Sequence, residues 1–156
     1  MTINVITLIQ PYATLAALGE KVFETRSKGI KLRGDLAIHA GKKIDYEACE
    51  IPRIKLALAK YGIMHPSQLP TGCIIAICKV FDCVKMVADP GSQLGIKVPG
   101  YKLTEREYTF GHYAPGRYAW VFANIKRPVK PIPARGQLGL WKFDLKYSQF
   151  FGQEWA

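Results

Sequence analysis

A chain of 156 residues with 22 Lys and Arg against 12 Asp and Glu carries a formal charge of +10, and 49% of its residues are hydrophobic. That length supports one well-buried core and is short for two, so a single domain over residues 1–156 is expected. No apolar run approaches the roughly 20 residues a membrane helix needs, and no basic stretch leads into an apolar signal core, so neither a membrane span nor secretion is indicated and a cytoplasmic protein is expected.

Residues 3 to 9 are rich in β-branched side chains and read as a first strand. Pro11 suits the first turn of a helix whose inward face is Tyr12, Leu15 and Ala16, closed by Gly19. Strand-like segments follow at about 22 to 26 and 34 to 39. Asp45 can cap a helix, with Ile44 and Cys49 at staple spacing, and Pro52 should break it, so two helical pieces are expected to end near Tyr61-Gly62. Gly72 to Val87 is the longest β-prone stretch, and its continuous apolar character predicts a strand buried on both faces. The Gly and Pro residues between 88 and 103 favour a loop, either a flap over a cleft or a connector. Thr104 can cap a short helix over 104 to 110, with Glu107 at its capping-box position. Arg117 to Ile125 reads as a strand and 128 to 133 as an extended edge. Tyr147, Phe150, Phe151 and Trp155 recur at helical spacing, which predicts a packed C-terminal helix over 145–156.

Cys49, Cys73, Cys78 and Cys83 form no Cys-x-x-Cys pair, and strand alternation sends Cys78 to the face opposite Cys73 and Cys83, so reduced, mostly buried thiols are expected. His39, His65 and His112 are too scattered for a metal signature. No Gly-rich phosphate loop or zinc set is present, so no metal and no cofactor are expected.

The run Gly19-Glu20-Lys21-Val22-Phe23-Glu24-Thr25-Arg26 places a lysine, a carboxylate and a guanidinium at a helix-to-strand switch. Alternation puts Glu24 and Arg26 on one face, with Lys21 at the turn beside them and Thr25 towards the core. Such a group can bind an anionic or amide-bearing ligand, or it can be a solvated ion pair at a strand edge.

That run fits Gly-x-Lys-x-x-Glu-x-Arg, and it is preceded by Ile9-Gln10-Pro11-Tyr12-Ala13 and followed by Arg33 to Gly41, Leu69-Pro70-Thr71-Gly72, Glu107 to Tyr113, Gly116 to Trp120 and Gly136 to Lys142. In this series the chain resembles the ASCH domain family over roughly residues 3 to 144. The resemblance implies an α+β fold, a small PUA-like β-barrel with peripheral helices, and an association with RNA. It also implies possible chemistry. One member of this broad family hydrolyses acylated cytidine with a lysine, a threonine nucleophile and a distant glutamate. Lys21 matches the lysine and Glu107 the distant acid, but Glu24 stands in the place of the threonine. A carboxylate cannot inherit an acyl-enzyme mechanism, so Glu24 would activate water while Lys21 stabilises developing charge.

The catalytic candidates are therefore Lys21, Glu24 and Glu107, and the candidate substrate contacts are Arg26, His39, Tyr12 and Arg117. Lys42 and Lys43, and Lys126 and Arg127, are the candidate nucleic-acid contacts. They either join into one basic face or belong to a generally solvated cationic surface. Recognition of RNA or a modified nucleoside is the favoured function. An amidohydrolase acting on N4-acylated cytidine, or a ribonuclease acting on single-stranded RNA, is the alternative.

Overall fold

The structure, a computed structural model, describes residues 1–146, so the C-terminal helix expected over 145–156 falls almost wholly outside the described residues. Strand β1 (Thr2–Gln10) runs into helix α1 (Tyr12–Ala17), and the chain returns through β2 (Phe23–Arg26) and β3 (Gly34–Ile44). Helices α2 (Tyr46–Cys49) and α3 (Pro52–Ala59) follow, then the long strand β4 (Cys73–Lys85). A hairpin of β5 (Val87–Ala88) and β6 (Ile96–Lys97), helix α4 (Glu105–Thr109), and strands β7 (Tyr118–Lys126), β8 (Ile132–Pro133) and β9 (Leu140–Asp144) complete the fold.

Seven strands form one sheet in the order β2-β7-β4-β3-β1-β9, with β8 pairing the start of β4. β1 and β3 are parallel, and the other pairs of this sheet are antiparallel. The fold is thus mixed α+β, as expected. Among the described residues no pairing joins the end strands β2 and β9, so the hydrogen bonding does not close the sheet into the expected barrel.

Burial on both faces explains why the central strands read as continuous apolar runs. Ile6, Leu8, Leu36, Ile38, Cys78 and Val80 pack with Ala13 and Ala16 of α1 on one side. Ile3, Val5, Ala37, Ile74, Ile132 and Trp141 pack on the other. Leu36, Ile38 and Ile74 are fully buried, and each such side chain contributes about 1.5–3 kcal/mol.

Local signals account for the helix ends. The Asp45 carboxylate accepts from the Ala48 amide at 3.0 Å, and Pro52 starts α3 as the break predicts. Thr104 caps α4 by accepting from the Glu107 amide at 3.0 Å, but the Glu107 side chain does not complete a capping box with it. A buried hydrogen-bond set sits at the start of α1. Gln10 donates to Thr14 Oγ1 and to the Pro70 carbonyl, both at 2.7 Å, while its own Oε1 accepts from the Thr14 amide.

Residues 88–103 are mostly loop, as expected, with β5 and β6 pairing across it and Ile96 and Val98 burying against Phe23, Met86 and Tyr113. The expected alternation of the cysteines is corrected: a register shift opposite Ile38/His39 re-phases Cys73 against Cys78, a further shift between Val80 and Asp82 re-phases Cys83, and all three pack against the same cluster. All four cysteines are free, and burial pushes the Cys78 thiol up to about 12.

Candidate functional site

β2 is the wall on which the site is built. Among the described residues it is an edge strand paired only with β7, and its outer side faces a cavity. The turn before it puts Lys21, 2% exposed, beneath Glu24. Lys21 Nζ donates to the Phe23 carbonyl and lies 3.5 Å from Glu24 Oε1. The other carboxylate oxygen of Glu24 accepts from Arg26 at 3.0 Å. The Arg26 guanidinium also stands 5.5 Å from the centre of the Trp120 ring, whose Nε1 donates to the Lys28 carbonyl at 3.0 Å. One carboxylate is thereby held between two cations, one buried and one partly open.

These groups line a cavity of about 420 Å³, together with Tyr12 from α1, Thr7 and Ile9 from β1, and Phe110, Gly111, His112 and Arg117 opposite. Burial, then the nearby Asp45, Cys49 and Glu24, raises the Tyr12 phenol above its usual pKa and keeps it a neutral donor. Arg117 acts as a clasp, with Nε donating to the His112 carbonyl at 2.9 Å and a terminal nitrogen to the Thr25 carbonyl at 3.3 Å. Thr25 faces the Gly111–His112 turn rather than the core, and its hydroxyl accepts from the His112 amide at 2.9 Å. A Cβ on Gly111 would lie 2.9 Å from the Thr25 side chain and 3.0 Å from Tyr113, so only glycine lets this wall close on β2.

Glu107 stands behind the cavity. Its Oε1 accepts from the amides of Val22 and Phe23 at 3.1 and 3.0 Å, tying α4 to the start of β2. Burial pushes its carboxyl above the usual range, against the lowering effects of the Phe23 amide and Lys21. Burial, and then Glu107 and Glu24, likewise raise the phenol of Tyr113, whose hydroxyl is buried with no hydrogen-bond partner among the described residues.

The other predicted residues lie elsewhere. His39 faces a second cavity, also lined by Lys42, Lys43 and Arg135, and is 1% exposed. Its Nε2 donates to the Ala134 carbonyl at 2.7 Å, so its Nδ1 is the acceptor of the 3.2 Å bond from Thr7 Oγ1, which in turn accepts from Trp141 Nε1 at 3.0 Å. Lys126 and Arg127 line a third cavity with Leu18, Ile63 and Ile125, so the two basic pairs do not share a pocket. Thr7, Ile9, Gly111 and His112 were not singled out by sequence. The signal for Ile9, Gly111 and His112 was membership of the flanking motif segments, and Thr7 lay only in the predicted first strand.

Burial lowers the His39 pKa below 6.5 despite the opposing hydrogen bond to Ala134. The folded state therefore prefers the neutral ring, so its contribution to stability is complete above pH 6.5 and declines as pH falls towards the folded value. A loss of stability below pH 6.5 in the parent that is reduced in His39→Gln is the expected outcome of denaturation at stepped pH.

Among the described residues, no three His, Cys, Asp or Glu side chains converge on a metal position, and no helix is long and apolar enough to cross a membrane.

With Lys21, Glu24 and Arg26 of the Gly-x-Lys-x-x-Glu-x-Arg run on one cavity wall, the comparison with known proteins agrees with the motif order: residues 6–132 match the ASCH domain. The chain belongs to the ASCH domain family. It is similar to activating signal cointegrator 1 of Homo sapiens, 26% identical over 90% of this chain, and of Mus musculus, 24% identical over 92%. The match spans 22% and 23% of those proteins, so this ASCH chain corresponds to about a fifth of their length. Crystal structures of ASCH from Zymomonas mobilis and of a point mutant of it align over 94% of this chain and 89% and 91% of theirs. Their identities are 13% and 15%, and their TM-scores 0.48 and 0.49.

Proposed function

We propose that the cavity beside β2 recognises a nucleobase, in RNA or as a modified nucleoside. The observation that carries this reading is the Lys21–Glu24–Arg26 group on the wall of a cavity of about 420 Å³. Phosphate alone would be met by cations alone. Here a carboxylate acceptor stands between two cationic donors, which suits a base edge that presents both donors and acceptors. Tyr12 adds an aromatic wall and Arg117 a further cation. Membership of the ASCH family is consistent with an RNA-related role, and a PUA-like curl of the sheet is the finer architecture we attach to it. With all four thiols free, we assign the protein to a reducing compartment such as the cytoplasm.

Hydrolysis of an N4-acylated cytidine is the second reading, and the Lys21–Glu24 contact favours it. Glu24 would take a proton from water, and Lys21 would face the oxyanion. Against it stands the work Glu107 already does, since its Oε1 is committed to two backbone amides. A ribonuclease role has less support, because among the described residues His112 is the one histidine lining this cavity.

The test incubates the protein with cytidine, N4-acetylcytidine and a short unmodified RNA, following both binding and product. Saturable binding without product is the expected result. Product from N4-acetylcytidine that disappears in Glu24→Gln would establish the second reading, and failure of all three to bind would remove the first.

A further inference from the structure

The second cavity, about 1010 Å³, shares the side chains of Thr7 and Ile9 with the first, so the outer end of β1 is a common wall between the two openings. Their linings differ in charge. The first holds Glu24 among its cations, whereas the second carries Lys42, Lys43 and Arg135, with no Asp or Glu in its lining. All three of these cations are exposed, and none makes an ion pair among the described residues. Lys79 reaches Asp35 at 2.6 Å and Lys60 reaches Glu20 at 2.7 Å, so what sets these three cations apart is that they line one cavity with no carboxylate among them.

The segment bearing Arg135 is held in place. His39 donates to the Ala134 carbonyl at 2.7 Å, and a Cβ on Gly136 would lie 3.0 Å from His39 Cε1. The partly buried Trp141–Thr7–His39 hydrogen-bond chain thus fixes the wall that carries one cation, while β3, paired with β1, carries the other two.

Resting on the nucleobase reading of the first cavity, we propose that the second is a phosphate-binding extension of the same site, so that the natural ligand is a single-stranded RNA rather than a free nucleoside. A base entering the first cavity must leave its stack, which a single strand permits at low cost, and its neighbouring backbone then crosses the Thr7–Ile9 wall to the three cations. Gln137, in the same lining, can donate to the sugar–phosphate backbone as well.

The experiment compares cytidine with a hexamer of cytidylate for the parent and two triple variants. One variant replaces Lys42, Lys43 and Arg135 with Gln. The other replaces Lys85, Lys97 and Lys102, which are exposed and line neither cavity, with Gln as a control of equal charge change. The parent is expected to bind the hexamer more tightly than cytidine. The cavity triple should lose about 2 from the slope of log affinity against log salt, a difference of roughly 20-fold between about 50 and 200 mM salt, while its cytidine affinity stays at the parent value. The control triple should keep most of the hexamer advantage. Equal losses in the two triples would reduce the effect to net charge and overturn the proposal, as would a hexamer that binds no better than cytidine or a blunt duplex that binds as well as the hexamer. Those failures leave nucleoside binding intact, whereas a parent that binds neither cytidine, N4-acetylcytidine nor the hexamer would sink the nucleobase reading itself.

Discussion

Replacing Lys21 with methionine is expected to lower folding stability by about 3–5 kcal/mol, the range for stripping one partner from a buried ion pair. Lys21 is 2% exposed and the Glu24 side chain 10%, so neither group can recover its hydration when the other is removed. The variant keeps the aliphatic stem and much of the packing, but it leaves the Phe23 carbonyl without its donor and Glu24 with Arg26 alone. The double variant Lys21→Met/Glu24→Gln should recover a substantial part of the loss, because no uncompensated charge remains inside. Urea denaturation of the parent, both single variants and the double one reads the coupling directly. A Lys21→Met protein within about 0.5 kcal/mol of the parent would show that the lysine is not structurally committed to this pair.

The second large effect concerns Glu107. Glu107→Ala frees the amides of Val22 and Phe23, the latter buried, and should cost about 2–4 kcal/mol on the scale of roughly 1–3 kcal/mol per unsatisfied buried group. Glu107→Gln keeps an oxygen acceptor in the same place and should cost much less. The two also differ in pH dependence. Burial raises the Glu107 carboxyl above 4.5, so the native state holds its proton more tightly, and the parent loses stability relative to Glu107→Gln as pH rises from 4.5 through the folded value. Thermal unfolding of the three proteins at pH 4.5 and at neutral pH checks both statements. Equal stability of the Ala and Gln variants would mean that the two amides find another acceptor and that Glu107 is not what ties α4 to β2.

Local chemistry was legible in the sequence, and contacts across the fold were not. Pro52, Asp45 and Thr104 act within a few residues of themselves, so the helix boundaries they set could be read directly. The i, i+2 spacing of Glu24 and Arg26 and the turn at Lys21 similarly put those three on one wall. Cys78 shows the limit of such reasoning. Strict alternation assumes an unbroken register, and separate shifts opposite β3 and β7 bring its side chain to the same cluster as Cys73 and Cys83. The β5–β6 hairpin was hidden for a related reason: its strands are two residues each, and their stability comes from Ile96 and Val98 burying against residues far away in the chain. The opposite wall of the cavity depends on Gly111 meeting Thr25, a contact 86 residues apart in sequence that no local pattern announces. His39 looked like a contact for ligand because it sits in a motif segment, yet both of its ring nitrogens are used within the fold.

Arg26 is the group on which the nucleobase site can be judged most directly. It is partly exposed, stacks on Trp120 and leaves Lys21 in place beside Glu24 when removed, so Arg26→Ala should fold like the parent. Titration calorimetry with the best-bound nucleoside of the cytidine panel should give an affinity about 10- to 100-fold weaker for Arg26→Ala, the worth of roughly 1.5–3 kcal/mol for a charge-assisted hydrogen bond. A folded Arg26→Ala protein that binds that nucleoside as tightly as the parent would contradict the assignment of this cavity.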